Sequence, residues 1–490
     1  MRGTELLDAM EHLDEDLVEE ADQPPAAKKS VPFKKILASA ACLAVVAAAV
    51  ALWPVNLGSD TASSGVGHEE GMTFLSYAGP LFPLSVLEGE DDLAAERTLT
   101  MDFSAAERAE EVSFTDAYLL ENTSSSDKAV TAVYPLAGDF TLENWPKITV
   151  NGTEVDWTLT AGDYAGTFSH VGDGAYIGVN LEEFCSWEGY DNLLTDGSYL
   201  KSAFSDAPTL DTPVAVYTVS DITGEEDAKG DLFLSFTREA DKTTVLTYGF
   251  NSSGFDSEAG TEYRGISFNE ALRLKNKSER YLIAVGEDLA NLQIGAGTPE
   301  GTSAAVTREE MTMGEVLEKI ASITYAAHTG DRAYALPISD PISFSTYDQA
   351  FLRYFAIHSP LGASPKERYA DGRLDEMAQE MVGIQRVFYL CFPLEIPAGS
   401  TVEVEITGIK KGSFDFDCYG GDNVGVYGYD LVTALGSNLP FTKQYAAIEG
   451  YGEIEIVRQN FGFDLEQGIT KVALDPQVPH YWLEVRRRPS

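Results

Sequence analysis

The sequence predicts a mainly β protein: an antiparallel β-sandwich with a helical insertion, preceded by one transmembrane helix. Three observations carry this. An uncharged run spans residues 36–53, with lysines on one side of it only. From about residue 91, short runs of alternating apolar and polar residues recur between turn-forming residues. That texture breaks once, over 301–385, where apolar residues recur at helical spacing.

Residues 36–53 read ILASAACLAVVAAAVALW. Eighteen helical residues rise about 27 Å, close to the hydrocarbon thickness of a bilayer. Lys28, Lys29, Lys34 and Lys35 precede the run, in a basic segment 28–35, and the next Lys or Arg is Arg97. The positive-inside bias places the N-terminus in the cytoplasm and the C-terminal part outside the cell membrane. Trp53 suits an interfacial anchor, and Pro54 ends the helix. A cleaved signal peptide is the rival reading. It would need an acidic n-region of 35 residues, although Ala49 and Ala51 supply small residues for cleavage.

Before the lysines, residues 1–27 predict a cytoplasmic amphipathic helix. Leu6, Met10, Leu13 and Leu17 fall at i, i+4, i+7 and i+11, with acids around the stripe, and Pro24–Pro25 stop the helix. A lone helix of this length is marginal in water unless its apolar stripe meets something. The stripe is therefore read as a docking face for a cytoplasmic protein. Without a partner it is a tail that only sets topology.

Beyond the membrane run, residues 54–90 are expected to form a tether. Residues 91–300 form the β-sandwich region, 301–385 the helical insertion, and 386–490 a C-terminal β region that completes the module. Expected strands include Thr98–Phe103, Val112–Leu120, Ala129–Tyr134, Lys147–Val150 and Thr401–Ile409. Asn151-Gly152 predicts a two-residue hairpin. In the insertion, Thr307 is expected to cap a helix carrying Met311, Val316, Leu317 and Ile320, and Tyr347–Ile357 and Leu374–Val382 read as two more.

A net charge of −44 on 490 residues excludes the basic footprint of a nucleic-acid partner. The four cysteines, Cys42, Cys185, Cys391 and Cys418, make no disulfide scaffold and no zinc pattern; one bridge, Cys391–Cys418, stays open. No HExxH, GxSxG, Walker A or GxGxxG occurs. The two SxxK matches, Ser125–Lys128 and Ser198–Lys201, lack the companion motifs of serine acyl-transferases. The six histidines have no ligand spacing. No catalytic residue and no cofactor are expected, and the chain is read as a non-enzyme. One oxygen set for Ca²⁺ can be drawn from Asp415, Asp417, Asp422 and Asn423. Tyr419 breaks the EF-hand pattern there, so a polar strand edge with a turn is the simpler reading. Tyr419, Tyr427 and Tyr429 could stack on a sugar, although Gly–Tyr alternation is ordinary at sandwich corners.

The segment TELLDAMEHLDEDLVEEAD (4–22), with the lysine-flanked run after it, resembles membrane-anchored regulatory proteins of Gram-positive bacteria laid out like anti-sigma factors. The head lacks the His-x-x-x-Cys-x-x-Cys motif of one large anti-sigma class. The segments VSFTDAYLLENTSSSDKAVTAVYPLAGDF and QNFGFDLEQGITKVALDPQVPHYWLEV look like an exported β-module of such bacteria. The resemblance implies a head that holds a cytoplasmic partner such as a sigma factor, and an outer module with a ligand of its own. It supplies no catalytic residues. A surface-displayed module without signalling is the alternative, and an envelope enzyme ranks third.

Overall fold

The computed structural model describes residues 78–87, 92–104, 110–162, 187, 204, 208–223, 231–267, 279–295, 298, 301–330, 336–414 and 425–488. The head 1–27, the basic segment 28–35 and the expected span 36–53 lie outside them. No helix among the described residues is long and apolar enough to cross a membrane.

The protein is mainly β, with several antiparallel sheets. The first run of strands is β1 (Ser85–Val86), β2 (Leu93–Asp102), β3 (Glu111–Asn122), β4 (Lys128–Gly138), β5 (Lys147–Val150), β6 (Thr153–Glu154) and β7 (Thr158–Ala161). A second run holds β8 (Pro213–Thr223), β9 (Asp231–Thr237), β10 (Thr243–Tyr248), β11 (Ser252–Asp256), β12 (Thr261–Ser267), β13 (Arg280–Gly286), β14 (Ala290–Ile294) and β15 (Ser303–Thr312). Three helices follow: α1 (Met313–His328), α2 (Phe344–His358) and α3 (Leu374–Gly383). The last run is β16 (Arg386–Ile396), β17 (Thr401–Lys411), β18 (Ser413–Phe414), β19 (Val426–Val432), β20 (Phe441–Glu449), β21 (Ile454–Gln459), β22 (Lys471–Ala473) and β23 (His480–Arg487).

The first and last runs interleave. They make sheets ordered β1-β4-β16-β7, β22-β20-β2-β3-β17-β5-β6 and β18-β19-β23-β21. Alternation explains how they pack. In β2, Leu93, Ala95, Leu99 and Met101 point inward, and Ala94, Glu96, Thr98 and Thr100 on the other face are half-buried. These side chains share one core with Leu390, Phe392, Leu394 and Ile396 of β16 and with Leu431 and Leu483 from the third sheet. The Pro397-Ala398-Gly399 turn joins β16 to β17, which lie in different sheets, so it carries the chain across the core. Asn151 and Gly152 both take positive φ (49° and 75°) between the paired residues Val150 and Thr153, the hairpin that the Asn-Gly pair predicts. Among the described strands, β2 pairs in parallel with β20, far from it in the chain.

The second run makes two sheets of its own, β10-β13-β8-β15 and β11-β12-β9-β14. Strand β8 is apolar on both faces because both are covered. Val214 and Val216 face the helices, whereas Ala215, Tyr217 and Val219 face Leu232, Leu234, Phe236 and Ile266 of the companion sheet. The helices present stripes at i, i+3, i+4, i+7: Tyr347, Ala350, Phe351 and Tyr354 in α2, for example. They bury these stripes between the β8 sheet and Phe140, Ala161 and Phe388 of the interleaved module.

Two boundaries differ from expectation. The expected tether 54–90 ends before residue 78, because Leu81, Phe82, Leu84 and Val86 are buried and Ser85–Val86 pairs with β4. The helical insertion 301–385 starts later than expected. Thr307 lies within β15, and the cap of α1 is Thr312, in a full capping box with Glu315. Both threonines precede a glutamate by three residues, so both match the box signature. Pairing of β15 along β8 claims the first, and the helix begins at the second.

Candidate functional site

The docking residues Leu6, Met10, Leu13 and Leu17 and the calcium set Asp415, Asp417, Asp422 and Asn423 lie outside the described residues. Cys391 is a free thiol whose pKa burial pushes up to about 11, and Cys418, its candidate partner, lies outside the described residues. Tyr427 and Tyr429 pack on the core side of β19, which removes Tyr429, 1% exposed, from any sugar face. Among the described residues, no group of three or more His, Cys, Asp or Glu side chains is placed to hold a metal ion.

The structure brings together other polar residues. Arg97 and Asp116 occupy inward positions of β2 and β3 where the alternation calls for apolar side chains. Both are fully buried. Arg97 Nε and Nη2 donate to the two Asp116 oxygens at 2.8 Å each, and Arg97 Nη1 donates to Val432 O at 2.8 Å. The Tyr118 hydroxyl donates to Asp116 at 2.7 Å and accepts from Leu84 N at 3.0 Å. Burial raises the Tyr118 and Tyr134 hydroxyls well above their usual range. Every strong donor and acceptor here is engaged and none reaches solvent, so the cluster ties the N-terminal segment and β19 to the large sheet. The signal was present in the sequence: opposite charges at core-facing positions of two neighbouring strands.

A second polar row lies on the far face of the third sheet. His480 and Asp430 pair at 2.8 Å, and Glu484 accepts from Trp187 Nε1 at 2.8 Å and from Arg458 Nε. The Trp187 indole stacks on Trp482 at 5.7 Å and lies over Gly428, where a Cβ would come within 2.8 Å of it. Lys410 donates to Ala78 O at 2.6 Å, and burial lowers its pKa to about 8 against the pull of Asp430. The glycine and the paired charges together form a seat for one indole. No periodicity in the sequence marks it, because Trp187 comes from a distant part of the chain.

Among the described residues, two recesses can be compared. An open groove of about 300 Å³ runs beside Pro135, Phe204, Tyr389 and Asn438. Phe204 is 47% exposed and sits 5.2 Å from the Tyr389 ring, while Asn438 is engaged with Ser85 and Val86. Its character is aromatic, with its amide already bonded. The other is a small cavity of about 50 Å³ where β10–β12 meet the turn before α3, lined by Thr247, Arg264 and Arg373 among others. Its lining residues Thr247, Arg264 and Arg373 each keep one enclosed side-chain atom without a partner. No protein-family model matches the chain, and no curated protein matches it.

Proposed function

We propose that the chain is a single-pass membrane regulatory protein, laid out like an anti-sigma factor, with its β-sandwich module outside and a docking helix inside. The observation that carries this reading is the uncharged run 36–53 with four lysines immediately before it and no Lys or Arg after it until Arg97. The apolar stripe Leu6–Met10–Leu13–Leu17 supplies the inner contact, with a cytoplasmic partner such as a sigma factor. The outer module is a sensing or binding domain. The folded module is reached by residue 78, which leaves 24 residues, 54–77, for a tether after Trp53.

Topology is the test. With epitope tags at both ends and protease added to intact, wall-stripped cells, the C-terminal tag is expected to disappear and the N-terminal tag to survive at the size of a short fragment. Survival of the C-terminal tag, or release of the whole chain into the medium, would refute the anchored orientation.

A further inference from the structure

Residues 78–87 enter the module as a strap that their own sequence keeps from forming a full strand. They read AGPLFPLSVL, and Pro80 and Pro83 have no N–H to give to a neighbouring ladder. Regular pairing is therefore broken into two short pieces. Leu81 lies between β4 and β19, bridged antiparallel to Leu136 and parallel to Leu431. Ser85 and Val86 then pair with Val133 and Ala132 of β4.

Side chains of the surrounding elements supply the rest of the attachment. Ala78 N donates to Ser413 Oγ at 3.0 Å, and Ala78 O accepts from Lys410 Nζ at 2.6 Å. Phe82 O accepts from Arg97 Nη2 at 3.2 Å, and Leu84 N donates to the Tyr118 hydroxyl at 3.0 Å. Ser437 Oγ donates to Leu84 O at 2.6 Å. The Asn438 amide stands in for a strand beside Val86: its Oδ1 accepts from Val86 N at 3.1 Å and its Nδ2 donates to Val86 O at 2.7 Å. Leu81, Phe82, Leu84 and Val86 are each at most 2% exposed.

A pull on the chain ahead of residue 78 meets these contacts one after another, beginning with the two at Ala78. Neighbouring elements are held differently. Strand β2, the next along the chain, is paired over its whole length with β3 and from Ala95 onward with β20. At the far end, β23 is paired on both sides, with β19 and β21. The strap is thus the first element to yield between the two ends of the module. Its departure takes an acceptor from Arg97 and a donor from Tyr118, inside a cluster that no solvent reaches. It also leaves β4 and β19 with open edges.

We propose that residues 78–87 are a pull-out clasp: tension on the chain ahead of them extracts them before β2 or β23 yields, and so opens the Arg97–Asp116 cluster. The anchored reading supplies the source of that tension, and the clasp as a regulatory device rests on it; the extraction itself does not. Single-molecule pulling on the purified full-length protein in detergent is the test, with one handle on a peptide tag inserted after Asp60 and the other at the C-terminus. Because the instrument applies the tension, failure here would sink the clasp and leave the membrane topology untouched. A first extension of no more than about 55 Å is expected, the extended reach of residues 78–92, before any longer event. Asn438→Ala should lower the force of this first step and leave the later steps unchanged. A disulfide joining Val86→Cys to Ala132→Cys, at two directly paired positions, should shorten the step to about 30 Å, the reach of residues 78–85. Reductant should restore the full length. A wild-type module that opens with no such first step, a step of unchanged length in the oxidised pair, or an unchanged force in Asn438→Ala would overturn the proposal.

Discussion

Asp116→Ala should lower folding stability by about 3–5 kcal/mol, because it strands the Arg97 guanidinium in the core without its carboxylate. The guanidinium is fully buried between the sheets, and Asp116 accepts both of its parallel hydrogen bonds. Tyr118 would lose its acceptor as well. Removing the pair together is the informative control. Arg97→Met with Asp116→Leu should cost less than the two single changes added, since neither charge is then left alone. It should not become neutral. Val432 O and Phe82 O would lose the donor that Arg97 provides, at 2.8 and 3.2 Å. Urea unfolding of the four proteins reads this directly. Additive single costs, or an Asp116→Ala loss under about 1 kcal/mol, would show that the cluster does not act as a unit.

Phe388→Ala should cost a similar amount, about 3–5 kcal/mol, through a different cause. Phe388 is fully buried on β16, edge-on to Phe140 at 5.5 Å and to Trp145 at 5.2 Å. Along the same face of the strand, Leu390 and Phe392 belong to the sheet-to-sheet core, while Phe388 belongs to the helical layer. The cavity left by alanine therefore falls at the join between the interleaved module and α1–α3. The expected melt is lower and broader, with the helical layer loosening first. Phe255→Ala, at a ring 66% exposed, should stay within about 0.5 kcal/mol of wild type. Equal effects of the two changes would contradict the assignment of Phe388 to a packed junction.

Much of the fold was legible in the sequence, for identifiable physical reasons. Lys147–Val150 and its Asn-Gly turn were readable because hairpin pairing and turn chemistry are local. Strands β2 and β17 were readable because each has one buried and one solvated face, which enforces alternation. Strand β13, YLIAV at its centre, shows no alternation because both its faces are buried, and it was missed. The start of α1 was misplaced because two capping signatures lie five residues apart and only the partner strand β8 decides between them. The small cavity was not legible at all. Thr247, Arg264 and Arg373 come together through one backbone contact at Gly372, and no local pattern encodes that contact. By contrast, the misplaced charges Arg97 and Asp116 were visible as interruptions of an apolar face.

The regulatory reading rests on the head, and partner capture with residues 1–35 tests it most directly. Burial of a leucine at a packed contact is worth about 1.5–3 kcal/mol, and Leu13→Asp also places an unpaired charge in the interface. Bait of the wild-type sequence should retain a cytoplasmic protein such as a sigma factor, and Leu13→Asp should lose it. Glu11→Gln, outside the apolar stripe, should change only the salt dependence of capture. The same Leu13→Asp change in the full-length chain should alter transcription of the partner's targets while leaving the protein anchored. Identical capture and identical transcription for wild type and Leu13→Asp would contradict the account and leave the β-rich module as a surface domain on a topological tail.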